Sequence, residues 1–211
     1  MSNVLLRDRD YTFIVAKSKR AAAENLPVIT RRWLSAQDAI VALAKQCEGF
    51  DGDGITVYIN PASSGNSELF QRYDHLRSHE LDQVFAENIP LDSLNLNTVL
   101  QMALDDYFER KTAKRTKVNG EIVLVVTDGE PQDRRAIVKT IVNATQRMDV
   151  DEELGIGFIQ IGDDALARGF LTVLDDDLRV AGAKFDIVHT RLLSDIESSS
   201  LAAFLVETIT D

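Results

Sequence analysis

Glu121-Ile-Val-Leu-Val-Val-Thr-Asp-Gly-Glu-Pro-Gln-Asp133 is the stretch on which the fold turns. Ile122 to Val126 is an unbroken β-branched and aliphatic run. A strand buried on both faces reads this way, so the run predicts a central strand of a parallel sheet. It stops at Thr127, Asp128 and Gly129. Pro131 suits the first turn of a helix, which Arg135 to Met148 would continue. Strand, acidic loop and helix in that order place Asp128 at the carboxyl end of a sheet, where open α/β folds bind ligands.

The same alternation extends outward. Tyr11 to Ala16 is a short apolar strand, followed by a long connection from Lys17 to Leu34 that contains Pro27. Ser35 reads as the N-cap of a helix from Ala36 to Cys47, with Ile40, Leu43, Ala44 and Cys47 on one face. After a Gly49–Gly54 turn, Ile55 to Ile59 is a second strand. Pro61 to Ser67 is a loop, and Glu68 to Tyr73 pairs back as an edge strand. Helices are expected at Glu80–Asn88 and at Thr98–Ala113, the latter turning Val99, Leu100, Ala103, Leu104, Tyr107 and Phe108 inward. Leu154 to Ile161 is another buried strand and Asp164 to Ala181 a helix. Phe185 to His189 is a last strand, and Ile196 to Ile209 the closing helix. The expectation is one domain over residues 1–211. It is an α/β doubly wound, mostly parallel six-stranded sheet with helices on both faces and one antiparallel edge strand.

The chain of 211 residues has a net charge of -11 and a pI near 4.7, which argues against general binding to nucleic acid or anionic membranes. No apolar run approaches the roughly 20 residues of a membrane span. Met1 to Asp10 lacks the apolar core of a signal peptide, and Cys47 has no second cysteine to pair with. A cytoplasmic location is expected.

A buried strand ending in Val125-Val-Thr-Asp-Gly-Glu-Pro-Gln-Asp133, in a chain of this layout, resembles von Willebrand factor type A (VWA) domains. Leu94 to Leu104 resembles the family's threonine loop leading into a helix. The resemblance implies a Rossmann-like sheet with a metal-ion-dependent adhesion site at its carboxyl edge. There a first loop of pattern Asp-x-Ser-x-Ser, a threonine and an aspartate surround Mg²⁺, and a partner's carboxylate completes the shell. Small hydroxyls and carboxylates suit this hard ion, which takes oxygen ligands at about 2.0–2.1 Å.

Here the pattern is altered. The first loop falls on Ala16-Lys17-Ser18-Lys19-Arg20. Ser18 matches the first serine, but Ala16 replaces the aspartate and Arg20 the second serine; Thr98 and Asp128 match the other loops. At ~4 Å and an effective dielectric near 20, each nearby cation would oppose a divalent ion by several kcal/mol. The expectation is a degenerate, metal-free site whose edge comprises Lys17, Ser18, Lys19, Arg20, Thr98 and Asp128. Arg20 or Lys17 would pair with Asp128 in place of the metal.

The leading functional reading is a non-enzymatic module that binds another protein, with Lys17–Arg32 offering basic residues to an acidic patch on that partner. A Mg²⁺-dependent adhesion domain using Ser18, Thr98 and Asp128 is the alternative. An α/β enzyme acting on an anion near Lys17, Lys19 and Arg20 is the second, although no nucleophile–base pair stands out. The basic run Arg110 to Lys117 reads as helix C-terminal charge. Trp33 reads as a packing anchor.

Overall fold

The computed structural model describes residues 2–18, 26–60, 69–88, 93–196 and 201–210, with residues 2, 3, 26–32 and 35 described by backbone alone. Its strands are β1 (Asp10–Ala16), β2 (Ile55–Ile59), β3 (Gln71–Leu76), β4 (Glu121–Thr127), β5 (Leu154–Gln160) and β6 (Val188–Leu192). They form one six-stranded sheet in the order β3-β2-β1-β4-β5-β6. Every pairing is parallel except that of β3 with β2. The helices are α1 (Ser2–Leu6), α2 (Leu26–Glu48), α3 (Leu81–Asn88), α4 (Leu96–Thr112), α5 (Arg134–Arg147), α6 (Ala165–Asp176) and α7 (Leu201–Thr210).

Every residue of β4 is buried, as its apolar run requires. Because successive side chains alternate, β4 feeds two cores. Ile122, Leu124 and Val126 pack with Phe13 and Val15 beneath α2, α3 and α7. Val123 and Val125 pack with Ile14 and Phe158 beneath α4, α5 and α6. Burying each such side chain is worth about 1.5–3 kcal/mol. On β5, Gly155 and Gly157 let α7 lie close: a Cβ on Gly155 would stand 2.5 Å from the Thr208 carbonyl oxygen, and one on Gly157 would stand 2.9 Å from Phe204.

Several boundaries differ from expectation. The first long helix begins at Leu26, so Ser35 lies inside it and not at its start. Its apolar face simply continues back through Ala36 to Trp33, and Pro27 is tolerated in a first turn, where the missing N–H has no partner to lose. Pro131 stays outside α5, whose cap is Asp133; that side chain accepts the Ala136 N–H at 3.0 Å. The edge strand sits at Gln71–Leu76, with an irregular register between Ile55 and Val57 and a left-handed His75. The last strand begins at Val188, and α7 follows a short 3-10 turn at Leu193–Asp195. The Pro61–Ser67 loop lies outside the described residues. The short α1 was not expected.

Candidate functional site

The chain leaves β1 toward β2 and returns to the centre at β4, so β1 and β4 flank the point where strand order reverses. Their register sets Ala16 opposite Thr127. The residues just beyond, Ser18 and Asp128, therefore emerge side by side. The Ser18 backbone N–H donates to Asp128 Oδ1 at 2.7 Å. Trp33, about two turns into α2 and itself buried, donates its indole N–H to Oδ2 at 2.9 Å. Asp128 is only 3% exposed. Burial pushes its carboxyl above the ordinary range; the Ser18 N–H, the Trp33 indole, the Ser18 hydroxyl and the Lys17 charge pull it part of the way back.

Neighbouring loops close around this pair. Lys17 makes a parallel bridge to Ser93, and the Leu94 N–H donates to the Lys17 carbonyl at 3.0 Å. Asn60, at the end of β2, donates to the carbonyls of Ser93 (3.0 Å) and Leu69 (2.7 Å). Gly129 packs directly on Ser18: an added Cβ would meet Ser18 Cβ at 3.0 Å and Asp164 Oδ2 at 3.8 Å. Asp164 caps α6 through the N–H groups of Leu166 and Ala167.

The structure thus brings Lys17, Ser18 and Asp128 together. Lys19 and Arg20 lie outside the described residues, so the expected Arg20 pairing falls there too. Thr98 sits in the first turn of α4, placed by the cap that Asn95 forms on its N–H at 3.3 Å. Among the described residues, Asp128 accepts two neutral N–H donors, while Lys17 contributes through its charge. Trp33 was missed as a site residue. Its sequence signal was the apolar spacing that carries α2 back to it. The donor set suits a divalent ion poorly: each Asp128 oxygen already spends one lone pair on a protein N–H, and Ala16 offers no second carboxylate.

At the opposite edge of the sheet the run from Arg110 to Lys117 does more than end a helix. Arg110 reaches Asp10 at 2.6 Å, Asp106 at 2.8 Å and the buried Glu121. Lys111 reaches Glu153 at 2.6 Å, and Lys117 lies between Asp51 at 3.0 Å and Asp53 at 2.7 Å. Burial, and a hydrogen bond shared with Asp53, push the Asp51 carboxyl up to about 6 against the pull of Lys117.

No known family model matches the chain, and no curated protein does. Solved structures do. Two structures of proximal thread matrix protein 1 from the mussel byssus superpose with a TM-score of 0.52 at 13% identity. They cover 95% and 96% of this chain but 47% of the matrix protein, so the chain spans about half of that protein's length. At such low identity the likeness concerns the fold alone, and it fits a VWA-like α/β sheet.

Proposed function

We propose that this chain is a non-enzymatic, VWA-type protein-interaction module with a degenerate, metal-free adhesion site. The observation that carries the reading is the closure of Asp128 by Ser18 and Trp33. Where an adhesion site would present an acidic oxygen to a cation, both oxygens here are bound by protein donors. The carboxylate becomes a brace that fixes the β1 and β4 loops to α2. A partner protein is then recognised by the loop surface around this brace, with Lys19 and Arg20, the basic residues that follow the buried Lys17 and Ser18 in sequence, supplying charge for acidic groups. A thread matrix protein shares the fold, and an interaction role is compatible with that likeness.

Calorimetric titration with Mg²⁺ and Mn²⁺ tests the metal-free part, with the lone Trp33 giving a second readout by its fluorescence. No saturable heat and no change in emission are expected for the natural chain. Saturable binding at sub-millimolar metal would overturn the proposal in favour of a Mg²⁺ site on Ser18, Thr98 and Asp128. The variant combining Ala16→Asp and Arg20→Ser restores the missing ligand types, so a gain of metal binding is expected there. A pull-down comparing that variant with the natural chain tests the basic edge: partners that need it are lost.

A further inference from the structure

Helices α5 and α6 leave an apolar trough between them on the outer side of the sheet. One hollow of about 230 Å³ is lined by Val138, Phe170, Val173 and Leu174, and an adjoining one of about 350 Å³ by Arg134, Arg135, Lys139 and Val142. The two share Val138 and Ala181, so they form one continuous groove. Its walls are helical stripes: Arg135, Val138, Lys139 and Val142 at i, i+3, i+4 and i+7 on α5, and Phe170, Val173 and Leu174 on α6, with Asp177 as that helix's C-cap. Val173 is 57% exposed and Val180 86% exposed, although both border apolar floor.

The charges along one wall say what fits. Arg134 pairs with Glu130 and holds its guanidinium 5.5 Å from the Phe170 ring. Arg135 and Lys139 are exposed and enter no ion pair among the described residues. Arg134, Arg135 and Lys139 on the α5 side outnumber the acidic lining residue Asp177 on the other, a local reversal of sign in a chain of net charge -11. Both walls are helices, so there is no strand edge in the groove for backbone pairing.

We propose that this groove binds an amphipathic helix of a partner protein, with apolar residues at i, i+3, i+4 and i+7 and acidic residues on the flank facing Arg135 and Lys139. This surface is separate from the Asp128 edge, and it stands or falls without it.

The test uses the full chain and a fluorescein-labelled, amidated helical peptide of leucine and glutamate with that spacing. A counterpart with lysine in place of glutamate is the control. Anisotropy should show saturable binding of the acidic peptide, weakened by raised salt and by about ten-fold or more in Arg135→Glu/Lys139→Glu. Val173→Asp should weaken it comparably, and circular dichroism checks that both variants keep the native helix content. Lys45→Glu, a charge reversal on α2 across the sheet, should bind as the natural chain does. The inference is overturned by absence of saturable binding, by equal binding of the lysine peptide, or by indifference to the Arg135/Lys139 reversal. Sedimentation showing a dimer that Val173→Asp abolishes would also overturn it and assign the groove to a second copy of the chain.

Discussion

The indole N–H of Trp33 and the carboxylate of Asp128 meet at 2.9 Å, with both side chains buried at the carboxyl edge of the sheet. This contact joins a helix to a loop 95 residues later. Trp33→Phe keeps the aromatic packing and removes only the donor. A hydrogen bond to a charged group is worth about 1.5–3 kcal/mol. At about 2–4 °C per kcal/mol for a chain of this size, Tm should fall by roughly 3–12 °C. The pH dependence follows from the raised carboxyl. Ionising Asp128 in the folded state costs stability as pH rises, and the indole offsets part of that cost. The Trp33→Phe penalty should therefore be largest near neutral pH and shrink on acidification. Equal penalties at pH 4 and pH 7.5 in thermal unfolding would refute the brace.

Gly129 should tolerate no side chain while Ser18 stands beside it. The Cβ of Gly129→Ala would crowd the Ser18 hydroxyl and approach Ser18 Cβ to 3.0 Å. Overpacking of this kind costs about 1–3 kcal/mol. Ser18→Gly removes both clashing atoms yet keeps the backbone N–H that Asp128 needs. The pair of substitutions should then be more stable than the sum of the single effects allows, by about 1 kcal/mol or more. Strict additivity in denaturant unfolding would show that the two loops do not touch.

The sheet was legible because its strands announce themselves: Ile122–Val126 is apolar without interruption and Tyr11–Ala16 is apolar except for Thr12, and such short β-branched runs suit a strand covered on both faces. The α2 start was not, since Pro27 and the basic residues before Trp33 read as connection, and a proline in a first turn looks the same as one in a loop. Lys17, Ser18 and Asp128 could be placed at one edge because topology alone brings strand ends together. The partner of Asp128 could not. A tryptophan on a helix face gives the same pattern whether its N–H is used or idle, and its partner is distant in sequence. The ion pairs of Arg110 were hidden for the same reason, its run being indistinguishable from charge at a helix end.

Arg110 should be the most costly charged residue to remove. It is the cation beside Glu121, which is 1% exposed and whose carboxyl is pushed up by burial despite that guanidinium. Arg110→Ala leaves that carboxylate buried without its counter-ion, a change that typically costs 3–5 kcal/mol, here taken as about that size. Arg72→Ala breaks contacts to Asp74 and Asp106 that stay open to solvent, and should cost roughly 1 kcal/mol or less. Urea midpoints at constant m-value measure both. A larger loss for Arg72→Ala than for Arg110→Ala would contradict the assignment.

Asp51 and Asp53 should make stability depend on pH in the range just below neutral. Lys117 bridges the two carboxylates at 3.0 and 2.7 Å, and the Asp51 carboxyl is pushed up to about 6 by burial and by its bond to Asp53. A carboxyl whose folded pKa lies above its unfolded value binds its proton more tightly in the folded chain. Its contribution to stability is complete below the unfolded value, near 4, and is lost as pH rises through about 6. Asp51→Asn cannot ionise, so it lacks this loss. The difference in Tm between the natural chain and Asp51→Asn should therefore shift in favour of the variant between pH 4.5 and pH 7.5. Lys117→Met removes the cation that opposes the shift and should move the apparent transition to higher pH. A difference that stays flat across this range, or one that shifts in favour of the natural chain, would rule out a shared proton between the two carboxyls.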